Sequence, residues 1–407
     1  MVWGGEDVGE DQPSGTSRGT NQTGVKLYNE RLVLSMIRTH GPLSKVEISR
    51  MTGLSPQASS VIMKALEAEG LLVKGAPQRG KVGQPSVPMS LNPEGAFSLG
   101  FKVGRRSADL VLIDMVGTPR QTIRTSYAYP TPALVKAFVR RGVARIVDGM
   151  APGQAARIRG FGIAAPSEMW SWEEEVGAPP DVVAGWRGFD LRAEIGDIVS
   201  WPVHACNDAT AACAAELAYG EGRKYQDFLY VFFATLVGGG VVLDGSLYPG
   251  RRGYAGSIGS IPVPGPDGGA PMPLIRRASI YLLERMVADA GGDPASLWSG
   301  AGDWHHLEPL LGAWLDQAAA HLALAIGAAV SVIDFHNVVI DGSFPPHVRA
   351  ALVVRTRERL AAMRMQGVAP VEIVEGKIGA DARVLGAASL PLLAEYARDR
   401  DILFSTG

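Results

Sequence analysis

The segment between positions 44 and 81 holds side chains whose types and spacing suit contact with DNA. Short polar residues open a predicted helix after Ser55, where Gln57 can hydrogen-bond a base edge and serine hydroxyls can bind phosphate. The amide N–H groups at the start of such a helix also favour phosphate. Further along, Arg79 and Lys81 are cations suited to phosphate or to the minor groove. The candidate DNA-contacting residues are Ser44, Ser55, Gln57, Ala58, Ser59, Ser60, Lys64, Arg79 and Lys81.

Capping residues predict the two helices that position most of these side chains. Ser44, with Glu47 three residues later, has the spacing of a capping box. Ser55 caps the next helix, and Pro56 suits its first position because the N–H that proline lacks would have no helical partner there. A tight turn over Met51–Leu54 separates the two helices. This arrangement predicts a helix-turn-helix, whose second helix enters the major groove.

A further helix and a hairpin complete a predicted winged helix. Asn29 is expected to cap a helix over Glu30–Thr39, ahead of the other two. Leu71–Lys74 and Val87–Leu91 are expected to pair as a wing, with Arg79 and Lys81 at its tip. In the second helix of the helix-turn-helix we expect one set of residues to face inward and another outward: Val61, Ile62 and Leu66 inward, and Gln57, Ala58, Ser59, Ser60 and Lys64 outward.

Charge separates this small domain from the rest of the chain. Residues 25–92 contain nine basic and four acidic side chains, a net charge of +5, whereas the whole chain carries −2. A basic segment in an otherwise acidic chain indicates a polyanionic partner for that segment. We therefore expect a disordered arm over 1–24, a DNA-binding domain over 25–92 and a second domain over 93–407. A small basic module that binds protein is the alternative interpretation.

Composition excludes several classes of protein. Of the 407 residues, 46% are hydrophobic and 20% are charged, so the chain can bury a large core. Cys206 and Cys213 are its only cysteines, which excludes a disulfide framework and a multi-cysteine zinc site. The polar first 24 residues do not form a signal peptide, and the longest apolar run, Ala318–Ile333, is too short to cross a bilayer. We expect a cytoplasmic protein with no metal, no cofactor and no membrane partner.

Strand-like and helical patterns alternate after residue 93, and the alternation occurs twice. The first set of predicted elements is Phe97–Val103, Ala108–Val116, Gln121–Tyr129, Leu134–Val147 and Arg157–Ala165. The second set begins at Val203 and contains the predicted helices Ala209–Tyr219, Pro273–Ala290, Leu310–Ile333, Pro346–Arg364 and Ala380–Tyr396. This repetition predicts an α/β domain of two similar lobes, over about 93–205 and 206–407.

The order of these segments resembles the ROK family of repressors, open reading frames and sugar kinases. The resemblance covers residues 27–395 and rests on a winged helix followed by LGFKVGRRSADLVLIDMVG, GFGIAAP, CNDATAACAAE, ATLVGGGVV and AGSIGS. It implies an actin-like ATPase fold of two RNase H-like halves with a cleft between them. Kinases of the family bind ATP and a sugar in that cleft. Regulators of the family bind a sugar effector there and operator DNA through the winged helix.

The phosphate-binding patterns of the family kinases are altered in this chain. Where the family has Asp-x-Gly-Gly-Thr, Lys102 replaces the acid near the metal, and Arg105 and Arg106 follow. The two arginines either fill the phosphate space or form an exposed charged turn. The second loop of the family, Gly-Thr-Gly-Ile-Gly-Gly-Gly, here reads Ala234–Gly240, and Asp341–Ser343 replaces a Gly-Gly turn near the adenosine. The resemblance therefore implies that phosphoryl transfer is lost.

The sugar-binding residues of the family are kept only in part. Asn207 and Asp208 match the pair whose aspartate removes a proton from the sugar, although Asp208 could instead cap the helix that follows it. Ser257 and Ser260 replace the family's glutamate and histidine, and Asp181 lies near an expected asparagine. The zinc-binding segment of the family is absent, so no zinc is expected. The candidate ligand-binding residues are Asn207, Asp208, Ser257, Ser260 and Asp181.

Together these patterns predict a DNA-binding transcriptional regulator, a repressor, whose kinase-like domain is not an enzyme and binds a carbohydrate or a related molecule. Asp208 would be the remnant of a catalytic base. Specific binding of double-stranded operator DNA needs two half-sites about 10 bp apart, so we expect a homodimer or homotetramer. The alternatives are a divergent ATP-dependent sugar kinase with an added DNA-binding domain and a scaffold whose fold serves only oligomerisation.

Overall fold

The computed structural model describes residues 22–77, 86–166, 169, 179–298 and 303–398. The chain divides into two units, each with its own sheet. The first unit contains the described residues up to 166, residues 185–206 and the residues from Ala387 onward. The second unit contains residues 207–386 and the described residues between 169 and 184.

A winged helix begins the first unit. Its elements are α1 (Gln22–His40), α2 (Lys45–Thr52), α3 (Pro56–Ala68), β1 (Leu72–Lys74) and β2 (Met89–Leu91). The two strands pair antiparallel, and the predicted capping box of α2 and serine cap of α3 are both confirmed. The expected start of the first helix is wrong, because Asn29 lies inside α1 rather than capping it. Residues 22–24 are already helical, so they do not belong to an unstructured arm.

The sheet of the first unit has five strands in the order β5-β4-β3-β6-β7. In chain order they are β3 (Phe97–Val103), β4 (Ser107–Asp114), β5 (Pro119–Ser126), β6 (Ile158–Ala165) and β7 (Val203–Asn207). β3, β4 and β5 form an antiparallel meander, and β6 runs parallel to β3. α4 (Pro132–Asp148) packs on β4 and β5 and buries Val135, Val139 and Ile146. The two short helices that follow along the chain are α5 (Pro180–Ala184) and α6 (Leu191–Gly196).

The sheet of the second unit has the order β10-β9-β8-β13-β14. Its strands, with a small extra pair, are β8 (Phe228–Phe233), β9 (Val237–Leu243), β10 (Ser246–Tyr248), β11 (Pro262–Val263), β12 (Met272–Pro273), β13 (Asn337–Gly342) and β14 (Glu372–Glu375). The remaining helices are α7 (Asp208–Tyr219), α8 (Ile275–Ala278), α9 (Ile280–Asp289), α10 (Leu310–Val332), α11 (Pro346–Ala361) and α12 (Ala382–Tyr396). The single helix predicted over Pro273–Ala290 is wrong, because the extended backbone at Ser279 separates α8 from α9.

The two sheets have the same topology. Counted along the chain within each sheet, the strand order is third, second, first, fourth and fifth in both. In each sheet the first three strands are antiparallel and the fourth is parallel to the first. This confirms the prediction of an α/β domain with two similar RNase H-like halves. The last helix departs from the expected division, because α12 belongs to the first unit from Ala387 onward.

The longest apolar helix lies in the core of the second unit. α10 has 23 residues and by length and hydropathy alone would suffice to cross a membrane, so the expectation that this apolar stretch is too short is wrong. Eleven of its residues are buried, and Trp314 packs edge-to-face on Phe233 of β8 with its ring centroid 6.1 Å away. The indole N–H of Trp314 donates to the Ser279 carbonyl oxygen at 3.1 Å, so its one polar group is satisfied.

Glycines allow α12 to approach β6 and α7 closely. A Cβ at Gly162 of β6 would lie 1.7 Å from the carbonyl oxygen of Ala387 in α12, and one at Gly386 would lie 1.6 Å from the carbonyl oxygen of Ala211 in α7. Both neighbours are backbone atoms, which cannot rotate away as a side chain can. These positions therefore accept no side chain without moving a helix.

We expect Gly162→Ala to lower the thermal unfolding midpoint by roughly 5–10 °C, because the added methyl group overpacks β6 against α12. Gly196→Ala is the matched control. Gly196 ends α6 and has nothing within 4 Å of the position of a Cβ, so the midpoint should stay the same or rise slightly. Circular dichroism during heating measures both. Equal midpoints for the two variants would contradict the close approach at Gly162.

Candidate functional site

One face of α3 presents polar and basic side chains to solvent. Gln57, Val61 and Lys64 are exposed on this helix, whereas Ile62, Met63 and Leu66 are buried against the rest of the winged helix. The Ser55 hydroxyl accepts from the backbone N–H of Ala58 at 3.2 Å, which begins the helix at Pro56. The expectation that Val61 faces inward is wrong, since 67% of it is exposed.

The serines of the helix-turn-helix are mostly used inside the domain. Ser59 is fully buried and accepts from the Ser49 hydroxyl at 2.9 Å, so the expectation that it faces outward is wrong. Ser60 accepts from Lys45 Nζ at 3.2 Å. Ser44 is buried, and its hydroxyl and backbone N–H both donate to the Glu47 carboxylate, at 2.7 and 2.8 Å. These hydrogen bonds lower the pKa of Glu47 and keep the capping box charged.

The base of the wing is formed as predicted, and its tip lies outside the described residues. β1 pairs with β2 from Leu72 opposite Leu91 to Lys74 opposite Met89. The ammonium of Lys74 lies 2.7 Å from the Glu67 carboxylate on α3. Residues 78–85 are not described, so DNA contact by Arg79 and Lys81 stays a prediction.

Glu94 joins the winged helix to the sheet of the first unit. It lies in a short turn after β2, next to Asn92, whose side-chain amide donates to the Gly70 carbonyl oxygen at 2.7 Å. The Glu94 carboxylate accepts from Arg120 Nη2 of β5 at 2.8 Å and from the Gln154 amide at 2.6 Å. Hydrogen bonds on both sides of this turn thus connect α3 to the β4–β5 end of the sheet.

A buried charge pair occupies the first hairpin. Lys102 is 6% exposed and Asp109 is 4% exposed, and the two lie opposite each other on β3 and β4 with 3.0 Å between Nζ and Oδ2. Lys102 also donates to the Ser107 hydroxyl at 2.9 Å, and Arg124 of β5 pairs with the other oxygen of Asp109. Burial alone would raise the pKa of Asp109, but the two cations outweigh it and lower the pKa.

The hairpin turn after Lys102 is not an exposed charged loop. Arg105 and Arg106 are half-buried, and the Arg105 guanidinium lies 4.8 Å above the ring centroid of Tyr129 and 3.3 Å from its hydroxyl. The hydroxyl of Tyr127 donates to the Gly104 carbonyl oxygen at 2.8 Å. The Arg105 side chain therefore packs against Tyr129 instead of extending into solvent.

The glycine-rich segment of the second unit also makes internal contacts. The carbonyl oxygens of Ala234 and Thr235 accept from the first N–H groups of α9, on Ile280 and Tyr281, at 3.4 and 3.2 Å. The N–H of Val237 donates to the Ser279 hydroxyl at 2.9 Å. Two N–H groups at the start of α9, which could otherwise bind an anion, are thus occupied by the turn itself.

The glycines that follow lie within strand β9 and serve packing. A Cβ at Gly238 would lie 2.8 Å from the Ala209 side chain, and one at Gly240 would lie 2.5 Å from Cys213 Cβ, both on α7. A Cβ at Gly239 would lie 2.4 Å from the Tyr230 carbonyl oxygen. The run Gly238–Gly240 therefore lets α7 approach β9 closely.

Asn207 and Asp208 lie at the start of α7. The side-chain oxygen of Asn207 accepts from the Ala209 N–H at 2.9 Å, so Asn207 is the helix cap and Asp208 is the first helical residue. The suggestion that Asp208 caps this helix is wrong. Asp208 Oδ2 instead accepts from Arg383 Nη1 at 3.2 Å, and the same guanidinium lies 5.5 Å from the ring centroid of Phe232.

The other candidate ligand residues are exposed in the second unit. Ser257 and Ser260 flank a short turn, and the Ser257 hydroxyl donates to the Tyr254 carbonyl oxygen at 2.8 Å. Asp181 is exposed in the short helix α5. Within the described ranges, no group of three or more His, Cys, Asp or Glu side chains is arranged to hold a metal ion.

Two buried carboxylates, Glu216 and Asp341, were not among the candidate site residues. Glu216 of α7 is fully buried and accepts from the N–H groups of Glu221 and Lys377, and its burial, with the charge of Asp341, raises its pKa. Asp341 of β13 is also fully buried and accepts from Arg349 Nη1 at 3.1 Å and from the Gly379 N–H at 2.7 Å. For Glu216, the one signal in the sequence that could have indicated a buried carboxylate was its position among the alanines of α7.

Comparison with known proteins identifies both domains. A ROK family profile matches residues 98–273, and a profile described as winged helix-turn-helix DNA-binding matches residues 27–73. The "Xylose repressor" of Bacillus subtilis is 26% identical over 60% of this chain and 62% of its own length. The "Bifunctional enzyme NanE/NanK" of Brucella melitensis is 32% identical over 55% of this chain and 40% of its own. The chain thus spans less than two thirds of either relative.

A solved structure shows the same fold over both domains. The crystal structure of a ROK family transcriptional regulator, a homologue of the Escherichia coli Mlc protein, matches with a TM-score of 0.65 at 19% identity. That match covers 94% of this chain and 98% of the other. The matching profiles, the shared topology of the two sheets and the preceding helix-turn-helix agree with one another: residues 98–273 are similar to the ROK family, and a winged helix-turn-helix over residues 27–73 precedes them.

Proposed function

We propose that this protein is a transcriptional repressor that binds operator DNA through α3 and responds to a sugar-like effector bound by its ROK domain. The observation that carries the proposal is the exposed face of α3, on a helix-turn-helix whose caps are both formed. Gln57 and Lys64 on that face offer an amide for a base edge and a cation for phosphate. The repressor name of the Bacillus relative supports the same function.

The ROK domain of the proposed repressor does not transfer phosphate. Phosphoryl transfer needs a carboxylate near the metal and space for the phosphates. Lys102 stands at that place, and its ammonium is already paired with Asp109. In the second unit, the carbonyl oxygens of Ala234 and Thr235 occupy the start of α9. Both features favour a binding domain over an enzyme.

An effector of the carbohydrate class would use the side chains at the start of α7 and in the 257–260 turn. Asn207, Asp208, Ser257 and Ser260, with Asp181, offer the acceptors and hydroxyls that bind sugar hydroxyls. Asp208 is held by Arg383, which suits a hydrogen-bonding role better than removal of a proton. A xylose-like pentose is the first effector to test, because of the repressor that this chain resembles.

A divergent sugar kinase is the second candidate. The favouring observations are the 32% identity to the NanE/NanK enzyme and the presence of the Asn207-Asp208 pair.

A repressor of the kind proposed here works on the chromosome, so we expect it in the cytoplasm. We also expect a homodimer or homotetramer, because a single winged helix covers one half-site.

We expect Lys64→Gln to weaken DNA binding about equally for all sequences and to reduce the slope of log K against log salt by about 0.9, as for one lost phosphate contact. Fluorescence anisotropy with genomic fragments over a salt series measures the slope. Lys136→Gln, at a half-exposed lysine of α4, is the control and should leave the slope unchanged. If the wild type does not bind DNA at low salt, the proposed function is wrong.

We expect no sugar-dependent ADP release in a coupled assay with ATP, magnesium and a panel of pentoses, hexoses and N-acetyl sugars. Asp208→Asn should give the same background as the wild type, because Asp208 is paired with Arg383 and no phosphate is transferred. Turnover by the wild type that Asp208→Asn abolishes would instead establish the kinase.

Glu94→Ala is expected to leave operator affinity unchanged and to weaken the release of DNA by effector two- to tenfold. The reason is that the substitution removes the hydrogen bonds of the carboxylate to Arg120 and Gln154, which connect the winged helix to the sheet. The effector probe is the sugar that raises the unfolding midpoint most in a thermal-shift screen. Glu194→Ala is the control, since Glu194 is a similarly exposed, ion-paired acid of the first unit. Full release by the Glu94 variant would contradict the proposed coupling.

A further inference from the structure

Val61 is exposed in the middle of α3 although its neighbours are buried. The exposed fraction is 67% for Val61, against 8% for Ile62 and 0% for Met63. A β-branched residue lowers helix propensity relative to alanine, so Val61 stabilises neither the helix nor the domain core. Its side chain is therefore available to a partner of the helix.

The neighbours of Val61 on the same helix face are polar. Gln57 lies four residues before it and Lys64 three residues after it, and both are exposed. A valine between an amide and an ammonium group does not resemble an apolar protein-docking face, which would group several large apolar side chains. It suits a surface that is mainly polar and anionic and offers a single apolar group.

The major groove of DNA is such a surface. The one methyl group on the base edges there is the 5-methyl of thymine, whereas most other positions offer a donor or an acceptor that a valine would leave unpaired. We propose that Val61 reads the methyl group of a thymine in each operator half-site. The inference rests on the proposed DNA binding and adds a residue that determines its specificity.

The helix geometry also places this thymine. Four residues of α-helix rise about 6 Å, which is roughly two base-pair steps of 3.4 Å when the helix follows the groove. The thymine read by Val61 should therefore lie about two base pairs from the base that Gln57 contacts.

Replacing thymine by deoxyuridine tests the proposal, because it removes only the methyl group. The preferred half-site is first selected from random oligonucleotides with the wild-type protein, and each thymine is then replaced in turn. At one position per half-site the Kd should rise about fourfold, the effect of burying one methyl group. Val61→Ala, which favours the helix and removes no buried contact, should bind the thymine and deoxyuridine sites with equal affinity at that position.

Val46→Ala is the matched control, because Val46 is 76% exposed but lies on α2. It should keep the fourfold preference for thymine. If no thymine position distinguishes Val61→Ala from the wild type, the inference is wrong, while measurable operator binding still supports the proposed function. If the wild type selects no sequence and binds no DNA, the proposed function fails, and the inference fails with it.

Discussion

The buried pair of Lys102 and Asp109 joins strands in the sheet of the first unit. An ammonium group at 6% exposure needs a counter-charge, because the cost of its desolvation is large. Asp109 supplies it from the opposite residue of β4, and Arg124 of β5 contacts the same carboxylate. Three adjacent strands are thus joined by one carboxylate. The ammonium group of Lys102 is thereby fully committed to contacts within the hairpin, to Asp109 and to the Ser107 hydroxyl.

The sheet of the second unit has the same topology, but this unit contains a run of glycines in β9 and two buried carboxylates. Its glycine run lies inside β9 and brings α7 close, and the start of α9 is occupied by the carbonyl oxygens of the preceding turn. Glu216 and Asp341 are buried there and accept hydrogen bonds from backbone N–H groups and from Arg349. These contacts stabilise the loop that follows β14.

Several serines of the winged helix form hydrogen bonds within the domain. Ser44 caps α2, and Ser59 and Ser60 join α3 to α2, whereas Gln57, Val61 and Lys64 of α3 are exposed. Sequence-specific binding needs these three side chains to be held rigidly, because a mobile helix would discriminate poorly between bases. Glu94 connects this domain to the sheet through Arg120 and Gln154, so a change in the sheet has a physical route to the helix.

Local signals in the sequence determined the caps of α2 and α3, the strands of the first sheet and the repeated α/β order, because capping, turns and hydrophobic runs depend on residues close in the chain. Sequence reasoning placed Val61 inside and Ser59 outside, because both choices depend on how α3 rotates against α1 and α2, and it could not find the partner of Lys102. The register of β3 and β4, the extended break at Ser279 and the burial of Glu216 and Asp341 were decided only by the tertiary structure. Each depends on contacts between elements that are distant in the chain or on packing that no short pattern records.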